Sequence, residues 1–433
     1  MSDSLFMTRR QFMHRIGAAA GAAATPLLLS SPLWANHSPN ERINIAVIGV
    51  GKQGGGLLQG FMRTPGVQVT AVCDVDREKL ERARRWVDDY YAEQSGRAYQ
   101  GCRAVVDFRE LVSRPDIDAV VIGTPDHWHA IMSVAFMRAG KDVYCEKPLT
   151  LTLDEGRRMT AEARRTGRVL QTGSMQRSSD HFRFACELVR NGYLGDIRHV
   201  RVSIATGFIP HPIDCDLPAE PVPAALDWEL WQGQAPERPF NAILAPPITF
   251  DGYPAWRNYR PYSGGGMADW GAHHFDIAQW GLGRDDSGPV EIIPAELSEY
   301  KLLTYRYDDG IEMTTDFVNN FIRFEGSKGT LQVNRSYLRT EPESLMTVKI
   351  KPNEIHLYDS KNHIGDFLSC IRERRRPITD VAVGARSVAV CHLGNLAHQL
   401  GRTLRWNPEK EEFIGDDEAN RMRSRAVRTP YAI

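Results

Sequence analysis

The sequence predicts an α/β protein in two parts: an N-terminal, doubly wound parallel sheet, then an α+β domain with a largely antiparallel sheet. Three observations carry this prediction. Between residues 43 and 172, short β-rich runs alternate with helical stretches, as the strand–helix–strand units of a parallel sheet require. The first of these runs leads straight into a glycine-rich turn, Gly49-x-Gly51-x-x-Gly54. Beyond about residue 175, strand-like stretches follow one another with a long proline-rich loop among them. The 433 residues suffice for two domains with full cores.

Residues 1–35 stand apart from both domains. Met7-Thr-Arg-Arg-Gln-Phe-Met-His14 precedes an apolar, alanine-rich stretch from Ile16 to Leu29, with a processing site near Ala35. This resembles a twin-arginine signal peptide, which implies the Tat export machinery as a partner and a periplasmic or otherwise exported protein. Pro26 interrupts the stretch, and it falls short of the roughly 20 residues that span a bilayer, so no stable membrane anchor is expected. An uncleaved anchor is the alternative. The seven cysteines form no C-x-x-C pair, and none precedes Cys73, so neither a disulfide framework, a zinc knuckle nor a lipidation site is indicated. A net charge of −1 gives no nucleic-acid footprint.

The predicted nucleotide-binding domain covers residues 36–172, with strands at 43–48, 67–73, 103–106, 119–122, 142–145 and 169–171 and helices at 77–91 and 131–139. In its turn, Gly49 permits the reversal from strand to helix, Gly51 lets backbone N–H groups approach a pyrophosphate, and Gly54 allows close helix–strand packing. Lys52 and Gln53 open the helix whose N-terminus meets the phosphate charge. Asp74, about 20 residues past the last glycine, ends the second strand, where a carboxylate accepts hydrogen bonds from ribose hydroxyls. The topology is Rossmann-like and the favoured cofactor is NAD. Arg77 and Lys52, either able to neutralise a 2′-phosphate, leave NADP open. The second domain covers residues 173–433, with strands at 197–206, 296–305, 312–317, 320–324 and 329–333, a loop from Pro210 to Pro247, and a long helix over 385–400.

Three further segments lie where chemistry is expected. Gly123-Thr-Pro-Asp-His-Trp-His129 follows a parallel strand, at the sheet edge where ligands bind; Thr124, Pro125 and His129 are its cofactor-side candidates. Its plain reading is a turn capped by Asp126, with His127 merely flanking. Tyr144-Cys-Glu-Lys-Pro148 places Glu146 and Lys147 at another strand end, with a lysine able to contact a substrate hydroxyl and the nicotinamide edge; the alternative is a surface ion pair before a proline. Within Ser263 to Trp280, helical spacing puts Asp269, His273 and Asp276 on one face. An imidazole flanked by carboxylates takes a proton at neutral pH, whereas the bland reading is a capped helix with a core histidine. A metal site built from His211, Asp214, Asp216, His273 and His274 lacks standard ligand spacing and is not expected.

The glycine fingerprint, the Glu146-Lys147-Pro148 segment and the Asp269-x-Gly271-x-His273-x-x-Asp276 helix, in this order, resemble the Gfo/Idh/MocA oxidoreductase family. The resemblance spans nearly everything after the signal. It implies a nucleotide-binding domain followed by an open-faced sheet domain that carries the substrate and often mediates homo-oligomerisation. It places Lys147 and His273 beside the transferred hydride, with Asp269 assisting. One departure is plain: where the family often has Pro-Asn-x-x-His, this chain has Asp126 in place of the neutral amide. The exported arrangement resembles that of periplasmic sugar oxidoreductases of this family, whose tightly held cofactor is recycled within the site.

The expected chemistry is oxidation of a secondary alcohol on a sugar or cyclitol, with His273 accepting the hydroxyl proton and Lys147 bonding the same oxygen. Gln176, Arg177, Arg257, Tyr259 and His274 are the substrate-binding candidates, since sugar faces stack on rings and hydroxyls need directional partners. Two rivals remain at this point. One is redox-neutral glycoside cleavage through a 3-keto intermediate; the other is a non-catalytic binding protein that retains its cofactor.

Overall fold

The structure, a computed structural model, describes residues 42–431 and 433. The arginine pair, the apolar stretch and the processing site lie outside the described residues. Among the described residues the first sheet has six parallel strands: β1 (Ile43–Ile48), β2 (Val67–Cys73), β3 (Arg103–Val105), β4 (Ala119–Ile122), β5 (Asp142–Cys145) and β6 (Leu170–Thr172), in the order β3-β2-β1-β4-β5-β6. β4 and β5 are buried at every position and β1 at all but one, as strands covered by helices on both faces must be. The helices stop and start where local chemistry dictates. Asp76 caps Arg77–Ser95 by accepting from the N–H groups of Glu78 and Lys79, and Gly96 ends it in the left-handed conformation. Thr152 and Glu155 form a reciprocal capping box at the start of Leu153–Thr166.

The second sheet is mixed and has nine strands: β7 (Ile197–Ser203), β8 (Glu291–Ile293), β9 (Leu303–Arg306), β10 (Glu312–Asp316), β11 (Phe321–Gly326), β12 (Gly329–Val333), β13 (Leu338–Glu341), β14 (Leu404–Asn407) and β15 (Glu412–Phe413). Every pairing is antiparallel except β7 with β10. Val200, Val202, Ile322, Phe324, Leu331 and Val333 face inward, onto the helices Asp180–Arg190 and Gly271–Leu282, while His199, Arg201 and Arg323 alternate outward.

Three expectations change. The stretch 296–305 is strand only from Leu303; before it, the N–H groups of Leu297 and Ser298 both bond the Pro294 carbonyl, and Ser298 Oγ meets Thr304 Oγ1 at 2.7 Å, so the chain turns. The short strands β8, β13, β14 and β15 escape sequence reasoning, because two to four residues carry too little periodicity. The boundary at residue 172 is also not the whole division: Phe367 and Leu368, on the helix His363–Glu373, and Val381 and Val388, on Val381–Leu400, pack into the core around the first sheet.

Candidate active site

The two sheets meet over a cavity of about 890 Å³ that runs from the glycine turn after β1 to the helices of the second domain. At its nucleotide end Gly49 has φ +75°, and a Cβ there would lie 2.7 Å from the Thr124 amide nitrogen. A Cβ on Gly54 would fall 1.7 Å from the Gly49 carbonyl oxygen, whereas one on Gly51 would meet nothing within 4 Å. The turn is thus tight on the sheet side and open on the cavity side. Gly51 caps Lys52–Met62 without any side-chain bond to the first-turn N–H groups, which leaves them for an anion. Asp74 lines the same cavity and accepts from the Val50 and Asp76 amides, at 2.8 and 2.9 Å, so its carboxylate is fixed at the end of β2. Thr124 Oγ1 is buried without a partner at the cavity wall. This cradle fits a dinucleotide.

The proline-rich loop closes over the nucleotide end. Asp227 N–H bonds the Val75 carbonyl, Arg77 N–H bonds the Ala225 carbonyl, Lys79 Nζ donates to the Pro246 carbonyl at 2.8 Å, and Lys52 pairs with Asp251. Lys52 is therefore engaged across the cleft, and Arg77 is exposed. Gln53 reaches inward, donating to Glu146 at 3.2 Å, and its Oε1 lies 3.5 Å from the Tyr253 hydroxyl.

At the other end Lys147, which follows β5, donates to the Asp269 carboxylate at 2.9 Å and to its backbone carbonyl at 2.8 Å. Burial pushes the Asp269 carboxyl up, but Lys147 and Arg257 outweigh it and hold it below the usual range. Glu146 makes no surface pair with Lys147. It is buried, and that burial raises its carboxyl. His129 does not line the cavity; its ring lies between the carbonyl oxygens of Pro148 and Thr124, at 2.8 and 3.0 Å, tying the Lys147 loop to the Thr124-Pro125 loop. Pro125 lines the wall beside Thr124. His127 is a core residue, its Nε2 3.1 Å from the Trp231 carbonyl oxygen.

The expected single helix through Asp269, His273 and Asp276 is broken at Trp270 into Gly265–Asp269 and Gly271–Leu282. His273 lines the cavity, but no carboxylate flanks it as expected: Asp276 is committed to Arg177 and Ser387. Burial, then the charges of Lys147 and Arg335, hold the His273 imidazole well below its ordinary range. It is a neutral ring with an unpartnered Nδ1.

The substrate candidates divide. Gln176 and Arg257 line the cavity, Gln176 accepting from Arg335 at 3.0 Å and Arg257 lying 4.2 Å over Trp256 and 3.5 Å from Asp269. Arg177 does not reach it: its guanidinium is fully buried between Asp276 and Asp285. His274, 0% exposed, is held at the Ser203 carbonyl, and Tyr259 packs against the separate aromatic cluster around Trp231 and Tyr262. His211 stacks on His398 away from this cavity, and among the described residues no three His, Cys, Asp or Glu side chains could hold a metal. Sequence reasoning missed Arg335, which stacks on Trp270 in a loop with no motif. It also gave Asp126 no ligand role; the side chain caps nothing and lies 3% exposed in the cavity wall.

A dinucleotide cradle in one domain and the Lys147–Asp269 contact shared with a second, sheet-bearing domain are the arrangement of a two-domain oxidoreductase. Comparison makes the class specific. Residues 43–174 match the Gfo/Idh/MocA oxidoreductase model described as an NAD-binding Rossmann fold, and residues 182–433 match the C-terminal alpha/beta domain of that family. The chain belongs to the Gfo/Idh/MocA oxidoreductase family, and its first domain is NAD-binding. Curated relatives include glycosyl hydrolase family 109 proteins of Solibacter usitatus, 36% identical over 32% of either chain, and of Shewanella pealeana, 29% identical over 45% of either chain. The match thus spans less than half the length of those relatives. Among solved structures, the aldose-aldose oxidoreductase from Caulobacter crescentus complexed with glycerol has a TM-score of 0.57 at 20% identity, covering 84% of this chain and 99% of that one. The WlbA dehydrogenase from Bordetella pertussis, in complex with NADH and UDP-GlcNAcA, has 0.58 at 16%, with the same coverage. At these identities the likeness is one of fold.

Proposed function

We propose that the chain is an exported, NAD-dependent enzyme that oxidises a secondary alcohol of a sugar, a sugar derivative or a cyclitol. The observation that carries this reading is the convergence of Lys147 from one domain with Asp269 and His273 from the other in the cavity that opens on the glycine turn. Bound NAD supplies a hydride acceptor at its nicotinamide. Two of the three Lys147 donor directions go to Asp269, and the third is free for a substrate oxygen. His273, a neutral ring with an unpartnered Nδ1, is in its base form and takes the substrate hydroxyl proton. Arg257, Arg335 and Gln176 present polar groups to neighbouring hydroxyls, and Trp256, Trp270 and Tyr253 present rings to a sugar face.

The loop pinned over the nucleotide end supports a tightly held cofactor, as does the Tat route, which carries proteins already folded. Asp74 at the ribose position and the Lys52–Asp251 pair favour NAD over NADP. A homo-oligomer assembled on the outward face of the second sheet belongs to the same proposal. Purifying the exported protein, denaturing it and identifying the released nucleotide by absorbance and mass tests the reading. Stoichiometric NAD is expected, and empty protein that also fails to bind added NAD would refute it.

The names of the curated relatives favour a second reading, redox-neutral glycoside cleavage through a 3-keto sugar. Release of aglycone at catalytic cofactor with no added acceptor supports it; strict dependence on a carbonyl acceptor excludes it.

A further inference from the structure

The cavity continues past His273 to an outer end walled by three stretches of the second domain, which hydrogen bonds tie together. The His181 ring donates through Nε2 to the Asn334 carbonyl at 2.8 Å, and the Ser178 hydroxyl meets Ser360 Oγ at 2.9 Å and His363 Nδ1 at 2.8 Å. Ser178, His181, Arg335, Lys361 and Asn362 all line the cavity here.

Charge is divided along this cavity. Its carboxylates lie at the strand ends of the nucleotide half, on Asp74, Asp76 and Asp107, or around Lys147, on Asp126, Glu146 and Asp269. The outer wall carries none among the described residues. Asp180 and Asp359, next to that wall in sequence, lie 3.3 and 3.5 Å from Arg183 and are not part of the lining.

The cations follow the opposite rule. Lys52 pairs with Asp251, Lys79 with Asp76, Lys147 and Arg257 with Asp269, and Lys361 stands 3.8 Å from Asp359. Among the described residues lining the cavity, Arg335 is the one lysine or arginine that pairs with no carboxylate. It is nonetheless held in place. Its Nε donates to Gln176 Oε1 at 3.0 Å, Gln176 Nε2 donates to the His273 carbonyl at 3.2 Å, and the guanidinium lies 4.6 Å from the Trp270 ring centroid. With Nε committed to Gln176, the terminal nitrogens are left to a ligand, and the residue is exposed enough to receive one. A planar fork of charged N–H groups matches a carboxylate better than it matches neutral hydroxyls. The Trp270 ring also lies 5.8 Å from the His273 ring, so one ring of a sugar acid reaches from Arg335 to His273.

We propose that the outer end of the cavity binds a carboxylate at Arg335 and that the substrate is a sugar acid, a uronate or its glycoside, an inference that rests on the alcohol-oxidising reading above. Arg335 sets this specificity and touches no reacting atom. Lys361, loosely paired at the same wall, adds to the positive field.

The test uses the full-length protein loaded with NAD and matched methyl glycosides of the gluco and galacto series: the uronate, its uncharged uronamide and the parent sugar. Calorimetric binding and cofactor reduction are both read. The uronate is expected to exceed the uronamide by about 10-fold or more in affinity and in kcat/KM, and the margin should shrink as salt is raised. In Arg335→Gln the uronate-to-uronamide ratio should fall to within about threefold of unity, while Arg335→Lys, which keeps the charge and loses the fork, retains part of it. A wild type that oxidises neutral sugars or cyclitols with no preference for the uronate, or a preference that survives in Arg335→Gln, overturns the inference and leaves the alcohol-oxidising reading standing. A stronger preference for a hexose phosphate overturns the assignment to a carboxylate. A wild type that loads NAD yet oxidises no carbohydrate or cyclitol, acidic or neutral, overturns both.

Discussion

Lys147 Nζ lies 2.9 Å from Asp269 Oδ1 and 2.8 Å from the Asp269 carbonyl oxygen, so the edge of the nucleotide domain and a helix of the second domain meet in one ion pair. Both side chains are largely buried, and what each does to a ligand depends on the other. Lys147→Ala should therefore lower turnover by about 10²–10⁴-fold while NAD affinity, measured by fluorescence quenching, stays within a few fold. Unchanged turnover would remove Lys147 from the catalytic machinery.

His273 should contribute no ionisation of its own. Burial and the neighbouring Lys147 and Arg335 keep the ring neutral through the working range, whereas burial pushes the Asp126 carboxyl up to about 7. His273→Gln should cut the rate by about 10²-fold yet leave the midpoint of the pH profile in place; a profile that flattens assigns the ionisation to His273.

Arg177 is a structural residue in this account. With Asp276 and Asp285 on its guanidinium and 2% of the residue exposed, Arg177→Met strands a buried carboxylate, at a cost of about 3–5 kcal/mol. Urea unfolding should show that loss. A variant of wild-type stability with a raised KM would return Arg177 to the substrate site.

Gly54→Ala drives a methyl group into the Gly49 carbonyl, 1.7 Å away. The helix Lys52–Met62 must shift off the sheet, so a lowered Tm and at least a tenfold loss of NAD affinity are expected together. Gly51→Ala, whose methyl meets no protein atom within 4 Å, should keep Tm and lose affinity alone.

Asp251 and Tyr253 tie the chain just past the proline-rich loop to Lys52 and Gln53 at the nucleotide end, and a tightly held cofactor requires that closure. Asp251→Ala combined with Tyr253→Phe should speed NAD dissociation by about tenfold, about 1.4 kcal/mol, with little effect on turnover at saturating NAD. Stopped-flow displacement measures this, and an unchanged rate would mean that the loop is no closure.

The fold and half of the site were legible because they are local. The glycine turn, Asp74 at a strand end and the Glu146-Lys147-Pro148 segment each encode their geometry within a few residues of chain. What failed was long-range. The partner of Asp276 is Arg177, 99 residues away, so helical spacing alone wrongly assigned Asp276 to His273. Arg335 joins the site from a turn between two strands, and nothing in Asn334-Arg-Ser-Tyr337 marks it. Asp126 was visible as a departure, yet its burial, which gives a carboxylate its proton affinity, is a property of the packed site.

The most direct measurement is label transfer to the bound cofactor. The full-length protein, loaded with NAD, is incubated with sugars, cyclitols and glycosides deuterated at their carbinol carbons, then denatured, and the released nucleotide is weighed. The account predicts deuterated cofactor with at least one carbohydrate, and labelling slowed by at least about 100-fold in Lys147→Ala. Fully loaded wild-type protein whose cofactor gains no deuterium from any of them would contradict it.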